Sequence, residues 1–281
     1  MDFGIDLFAT DTTMQPIDVA RHCERLGFES VWLTEHSHIP TARTTPWGGR
    51  KNAPPLPEKY WRTHDALVAF GAMAAVTERI KLGTGINLLA QRDPIWTAKE
   101  VATVDHLSNG RFIFGIGYGW NVEEMNHHGV EYATRRALLR EKLLLMKALW
   151  TEDEASFAGE HLTLDPSWAW PKPIQKPHPP VVMGAKFGPR TVADLVEFCD
   201  GWLPHAVSAL PEQATEVRHA LEDAGRDPEA FSLSIFGARV EQRTLDLASA
   251  AGVDRVVFAI ESNDPDQVLE DLEAAAEFSL R

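Results

Sequence analysis

The stretch SVWLTEHSHIP, Ser30 to Pro40, ends an apolar run in a carboxylate and two imidazoles, Glu35-His36-Ser37-His38. Imidazole has a proton affinity near neutrality, so it can give or take a proton beside a reacting group. An adjacent carboxylate such as Glu35 can fix the ring's orientation. An apolar strand that delivers such groups to its end implies neighbouring strands converging on the same place.

His64, Asp65, His127, His128 and His205 could join His36 and His38 around a metal. Metal-dependent barrel hydrolases place their H-x-H pair on the first strand and a bridging lysine on the fourth. Here the first strand ends Phe8-Ala9-Thr10-Asp11 and the fourth ends in glycines, so no metal is expected.

Two further strand ends, LGTGINLL and GIGYGW, are rich in glycine. Glycine there lets a flat ligand lie against bare backbone, although tight interior packing would use the same residues. Together the two ends favour a planar cofactor. In MGAKFGPRT, Gly184, Lys186, Gly188 and Arg190 surround a helix start with Pro189 in its first turn. Free N–H groups beside cations suit a phosphate, and an ordinary strand-to-helix loop fits the residues equally well. Trp47, Trp61 and Trp120 lie in irregular segments expected over the mouth, where with His38 they would line a substrate pocket. Trp168 and Trp170 are expected there too, as buried loop-packing aromatics, and Trp96 and Trp150 in the core.

The elements that must position these groups alternate strand and helix. Strands are expected at Phe3–Phe8, Ser30–Glu35, Ile80–Ile86, Arg111–Tyr118, Pro180–Ala185, Gly201–His205, Phe231–Gly237 and Arg255–Ile260. Helices are expected at Pro16–Leu26, His64–Val76, Pro94–Leu107, Ala133–Trp150, Pro189–Cys199, Pro211–Ala224, Glu241–Ala251 and Pro265–Phe278. Eight such units with apolar strands read as a closed (β/α)8 TIM barrel, one α/β domain over residues 1–281. Long Pro- and Trp-rich segments make loop insertions after strands two and four. No GxGxxG follows strand one, so the usual dinucleotide fold lacks its fingerprint. Barrel chemistry sits at the C-terminal strand ends, which places Glu35 and His36 at the mouth.

With 27 Lys and Arg against 41 Asp and Glu, the 281 residues carry a formal charge of −14. That field opposes nucleic acid and anionic lipid as partners. The longest apolar stretch, ALVAFGAMAAV, falls short of the ~20 residues a membrane span needs. The chain begins directly in a strand with no basic leader, and Cys23 and Cys199 belong to no CxxC, so a cytoplasmic setting is expected.

Four stretches give a resemblance. ARHCERLGFESVWLTEHSHIP, IKLGTGINLLAQRDPIWTAKEVATVDHLSNGRFIFGIGYGW, LLLMKALWTEDEASFAGEHLTL with the later PKPIQKPHPPVVMGAKFGPRT, and DGWLP resemble the bacterial luciferase-like flavin monooxygenase superfamily, within it the coenzyme F420-dependent oxidoreductases. They span most of Ala20–Pro204, and the C-terminal third shows only barrel periodicity. The resemblance implies a (β/α)8 barrel that binds F420, with FMN the alternative, acts on a small-molecule substrate and forms a homodimer. His36 with Glu35 would face the reactive ring as catalytic pair. Gly85-Ile86 would be a non-prolyl cis peptide backing the ring, with Tyr118 and Gly119 beside it. Gly184, Ala185, Lys186 and Gly188 would be the phosphate-holding turn.

Two positions depart from the pattern, because many deazaflavin enzymes have aspartate for Glu35 and serine for Gly85. Ile39-Pro40 stands where sugar-phosphate dehydrogenases carry an aromatic, so a sugar phosphate is not expected. Arg43, Arg50, Lys51 and Lys59 could form a cationic exit groove for the F420 tail. An FMN-dependent monooxygenase and a non-catalytic flavin-binding protein are the alternative functions.

Overall fold

The computed structural model describes residues 1–280. β1 (Asp2–Leu7), α1 (Pro16–Leu26), β2 (Ser30–Leu33), α2 (Ala66–Ala74), β3 (Lys81–Thr84), α3 (Pro94–Leu107) and β4 (Phe112–Ile116) alternate first. Two helices follow, α4 (Val122–His127) and α5 (Arg135–Thr151), then a hairpin, β5 (Ala155–Ala158) and β6 (Thr163–Ser167). The alternation resumes with β7 (Val181–Met183), α6 (Pro189–Phe198), β8 (Gly201–Trp202), α7 (Leu210–Asp223), β9 (Ser232–Ala238), α8 (Gln242–Ala251), β10 (Arg255–Ile260) and α9 (Pro265–Ser279). β1, β2, β3, β4, β7, β8, β9 and β10 close into a parallel barrel in that order, as the sequence predicts.

The barrel is filled by Trp32, Ile113, Val182, Leu203, Phe236 and Val257. Trp32 is fully buried, and its indole N–H donates to Ser30 Oγ at 2.8 Å. Room for that indole comes from β3, where a Cβ on Gly83 would lie 2.4 Å from the ring. Asp6, Trp32 and Gly83 are register partners across β1, β2 and β3, so all three face the interior. A second, larger core lies between the sheet and its helices. Helix ends follow local chemistry. Asp65 and Asp93 cap α2 and α3 by accepting from the backbone N–H groups of Val68 and Trp96, and Gly27 ends α1 at φ 97°.

Three expectations are corrected. Helix α4 lies where the sequence suggests loop, because six residues with two acids carry too little apolar pattern. The segment after α5 forms a hairpin along the outside of α5, whose Glu141 accepts from the N–H groups of Glu160, His161 and Leu162, and then passes to the strand-start end of the barrel. There Gln175 bonds Asp105 and the carbonyl of Phe112 at the start of β4. Trp168 and Trp170 pack beside the first turns of α3 and are 80% and 57% exposed, not buried. Trp96 is 69% exposed because the buried face of α3 is carried by Thr97, Ala98, Val101 and Ala102, whereas Trp150 is core as expected.

The insertion after β2 returns across the mouth through short helical turns at Trp47–Gly49 and Glu58–Trp61. Its return is pinned where Thr63 bridges Thr10 and where Arg62 grips Asp11 at 2.7 and 2.8 Å. Among the described residues no helix is long and apolar enough to cross a membrane.

Candidate active site at the barrel mouth

His36 follows β2 into the mouth, and its partner is Glu124 of α4, not Glu35. Nδ1 of His36 lies 2.8 Å from Glu124 Oε2, and Glu124 is fully buried. A carboxylate only accepts, so Nδ1 carries the proton and Nε2 is left for the mouth. Thr63 Oγ1 donates to the His36 carbonyl at 2.9 Å. The ring packs against Tyr60 and Trp120, at centroid distances of 5.3 and 5.7 Å. Glu124 escaped sequence reasoning, although a glutamate beside apolar Met125, just past a glycine-rich strand end, was a signal.

Glu35 is buried in a different role. Oε1 accepts from the backbone N–H of Leu88 at 3.1 Å and Oε2 from Asn87 Nδ2 at 3.0 Å. Arg92 donates to both oxygens at 3.0 Å and also pairs with Asp65 and Glu100. Burial would lower the Arg92 pKa, but Glu35 and Asp65 reverse this and hold it above its usual value. Glu35 thus ties the end of β2 to the segment after β3, with its lone pairs occupied. That corrects the expectation that it orients His36.

The ends of β3, β4 and β7 meet as side-chain-free backbone packed on the Ile86 and Phe236 side chains. The Gly85–Ile86 peptide is cis. A Cβ on Gly117 or on Gly184 would lie 2.5 Å from the Ile86 side chain, and one on Gly85 would lie 2.3 Å from Phe236. Gly119 has φ 71°. The Tyr118 phenol turns outward from this wall, donating to Asp194 and accepting from Arg136 at 2.9 Å. Burial and Asp194 push its pKa well up. Gly188 caps α6 without a side-chain bond, has open space where a Cβ would stand, and is flanked by exposed Lys186 and Arg190. Asn87 Oδ1 and Thr34 Oγ1 are buried without hydrogen-bond partners among the described residues. A bare wall, orphaned polar atoms and an open helix start fit a planar ring with a phosphate tail.

The lid supplies the remaining groups. Trp47 packs edge-on to Tyr60 at 5.7 Å, while Trp61 is 49% exposed. His38 leaves the mouth to stack on His127, with Nε2 2.8 Å from His127 Nδ1. Lys59 is not a free groove cation. It is buried over the Phe8 ring and paired with Glu261, while Arg43 and Arg50 sit over the Trp120 and Trp47 rings. Asp6 beneath it has Oδ1 unpartnered, and burial raises its pKa well above the usual carboxylate range against the opposing pull of Lys59. A cavity of about 450 Å³ borders His36, Ser37, Thr63, Leu88, Gln91 and His128.

Comparison with known proteins bears on the fold and the family. The chain matches the luciferase-like monooxygenase family over residues 9–251. An uncharacterized protein of Mycobacterium tuberculosis is 38% identical over 281 residues, covering 99% of this chain and 96% of that one. The F420-dependent glucose-6-phosphate dehydrogenase of Amycolatopsis mediterranei is 32% identical over 163 residues, covering 57% of this chain and 44% of that one. A monooxygenase of Streptomyces bottropensis superposes with a TM-score of 0.78 at 19% identity, over 100% of this chain and 99% of that one. The coenzyme F420-dependent tetrahydromethanopterin reductase of Methanopyrus kandleri gives 0.73 at 18%, over 99% and 98%. At those identities the two structures testify to the fold alone. From the extent of the family match and of the mycobacterial relative, this chain is an enzyme belonging to the luciferase-like monooxygenase family.

Proposed function

We propose that the chain is a coenzyme F420-dependent oxidoreductase acting on a small organic substrate, with His36 as the proton-transfer group. One observation carries this: His36, fixed through Nδ1 on buried Glu124, stands one strand from the bare cis Gly85–Ile86 wall. Gly85, Ile86 and Gly119 would back the ring, and Gly184, Ala185, Lys186 and Gly188 would hold its phosphate. When bound, a deazaflavin supplies or accepts a hydride. His36 gives or takes the accompanying proton at Nε2, Trp120 and Tyr60 hold the imidazole in place, and the lid with Lys59 excludes water. Trp47, Trp61 and Trp120 border the substrate side, and His38 does not. The Amycolatopsis dehydrogenase, whose name carries F420, supports the cofactor.

A second reading, an FMN-dependent monooxygenase using oxygen, is favoured by the match to the luciferase-like monooxygenase family. Fluorescence titration of the purified protein with F420 and with FMN separates the two. Tight F420 and weak FMN binding is expected. The reverse overturns the first reading, and no binding of either below about millimolar, roughly −4 kcal/mol, overturns both.

A homodimer, in a cytoplasmic setting, completes the proposal. Val68 of α2 and Ile95, Trp96 and Leu107 of α3 are 50–75% exposed, a run of large apolar side chains that a second copy would cover.

A further inference from the structure

The hydrogen bonds of His36 do not stop at Glu124. Glu124 Oε1 faces Ser37, accepting from its N–H at 3.2 Å and its hydroxyl at 3.4 Å. Ser37 Oγ lies 2.7 Å from His128 Nε2 and 3.0 Å from His38 Nδ1. His38 Nε2 in turn lies 2.8 Å from His127 Nδ1. The series begins at an imidazole whose side chain is only 6% exposed, passes a fully buried carboxylate and ends at His127 and His128, both exposed on α4 and the turn after it. His36, Ser37 and His128 also border one cavity.

Resting on the reading of His36 as the proton-transfer group, we propose that Glu124, Ser37 and His128, with His38 and His127 as a second exit, form a proton relay between the covered mouth and bulk solvent. When His36 Nε2 takes a proton from a substrate O–H, the electrons of that bond stay on the substrate oxygen and the ring becomes an imidazolium. Its Nδ1 proton passes to Glu124 Oε2, giving a neutral ring and a neutral carboxyl. The carboxyl turns its O–H toward Ser37 Oγ. The Ser37 hydroxyl accepts that proton while releasing its own to His128 Nε2, and His128 sheds a proton from Nδ1 to water. One proton enters at the substrate and one leaves at the surface, and no oxidant beyond the hydride acceptor is needed. His36 and His128, each left with its proton on Nε2, regain their starting tautomers by exchange with water once product leaves the mouth. Running backwards, the same steps deliver a proton for substrate reduction.

Residue types favour this over a structural cluster. Stability alone asks only that Glu124 be satisfied, which His36 Nδ1 and Ser37 N–H already do. Three imidazoles gathered on the far side of one hydroxyl, two of them stacked, add nothing to that. Burial lowers the His128 pKa, His38 and Lys142 lower it further, and Glu124 and Glu35 oppose them. A predominantly neutral His128 can accept from Ser37 at neutral pH.

The test uses the full chain with ¹⁵N-labelled histidine. Solvent exchange of the His36 Nδ1 proton is measured by NMR in wild type, Ser37→Ala, and His128→Ala combined with His127→Ala. The relay expects both variants to slow exchange about tenfold or more while the ring stays on Glu124, and added imidazole to restore the rate in the histidine variant. Unchanged exchange in both folded variants overturns the relay. His36→Ala is assayed separately for turnover with the cofactor that binds. Full activity there overturns the proposed role of His36, whatever the exchange rates show.

Discussion

Replacing Glu124 by glutamine tests the geometry at its least forgiving point. The carboxylate gives one oxygen to His36 Nδ1 at 2.8 Å and the other to Ser37, whose N–H lies at 3.2 Å and hydroxyl at 3.4 Å. A glutamine of the same shape offers one acceptor and one –NH2, so one neighbour must lose its bond. The Ser37 backbone cannot change its proton, but the imidazole can. The –NH2 therefore turns to Nδ1, which becomes an acceptor, and the ring proton moves to Nε2. A hydrogen bond to a charged group contributes about 1.5–3 kcal/mol, which in turnover is roughly ten- to 150-fold. Histidine ¹⁵N shifts read the tautomer without any substrate, and turnover is then compared using the cofactor that binds. Glu124→Gln is expected to convert His36 to the Nε2–H form, lower kcat by that factor and leave cofactor affinity nearly unchanged. An unchanged tautomer with unchanged turnover would refute the assignment of Glu124 as the residue that positions His36.

Gly83→Ala should cost about 1–3 kcal/mol or more by forcing a Cβ to 2.4 Å from the enclosed Trp32 indole; a denaturant midpoint equal to wild type would show that the barrel interior can yield. Burial would raise the Glu29 pKa, but its pairing with Arg255 and Lys81 outweighs this and holds it at about 2. A carboxylate depressed in the folded state contributes stability that is present above pH ~4.5 and lost as pH falls toward 2. Glu29→Gln should therefore flatten the acid limb of the stability curve over that window, and an unaltered limb would exclude the pair as its cause. Trp96→Glu should shift the protein from dimer to monomer in sedimentation without lowering its melting temperature, whereas an unchanged sedimentation coefficient would mean that nothing pairs on that face.

The barrel was legible because buried parallel strands must be apolar on both faces, so IKLGTGI, RFIFGIGY and RVVFAI announce themselves. Glu35 and His36 were legible as mouth residues because strand direction alone puts the end of β2 there. Their roles were not, because partner choice depends on segments remote in sequence. Glu35 finds Arg92 and His36 finds Glu124 only once β3 and β4 are aligned beside β2. The short α4 that brings Glu124 reads as a solvated acidic turn. Lys59 misled in the other direction, since a lysine in a Pro-rich loop reads as a surface charge until the lid folds it over Phe8. Trp96 failed because large apolar side chains mark a helix face, and the sequence does not say whether that face meets its own barrel.

Asp6 separates what the fold needs from what the mouth needs. It shares a register with Trp32 and Ala259, faces the interior, is 6% exposed and has Oδ1 without a partner. No packing argument favours an acid there. Burial raises its pKa, Lys59 opposes and Glu261 adds to the rise. A carboxyl whose folded pKa lies above its unfolded value binds more protons in the folded state, so stability falls as pH rises from its unfolded value toward the folded one. An asparagine side chain at this position would be close in shape to the neutral acid and could not ionise. Asp6→Asn should therefore melt at a higher temperature than wild type near pH 8, with the gap narrowing toward pH 4, as followed by thermal denaturation at each pH. Equal melting temperatures across that range would mean that Lys59 neutralises Asp6 fully, making the pair an ordinary ion pair. The expected result would mean that the barrel carries a destabilising acid opposite its bare-backbone wall. Under the proposed function, such a group would meet a polar substrate that approaches from β1 and β2.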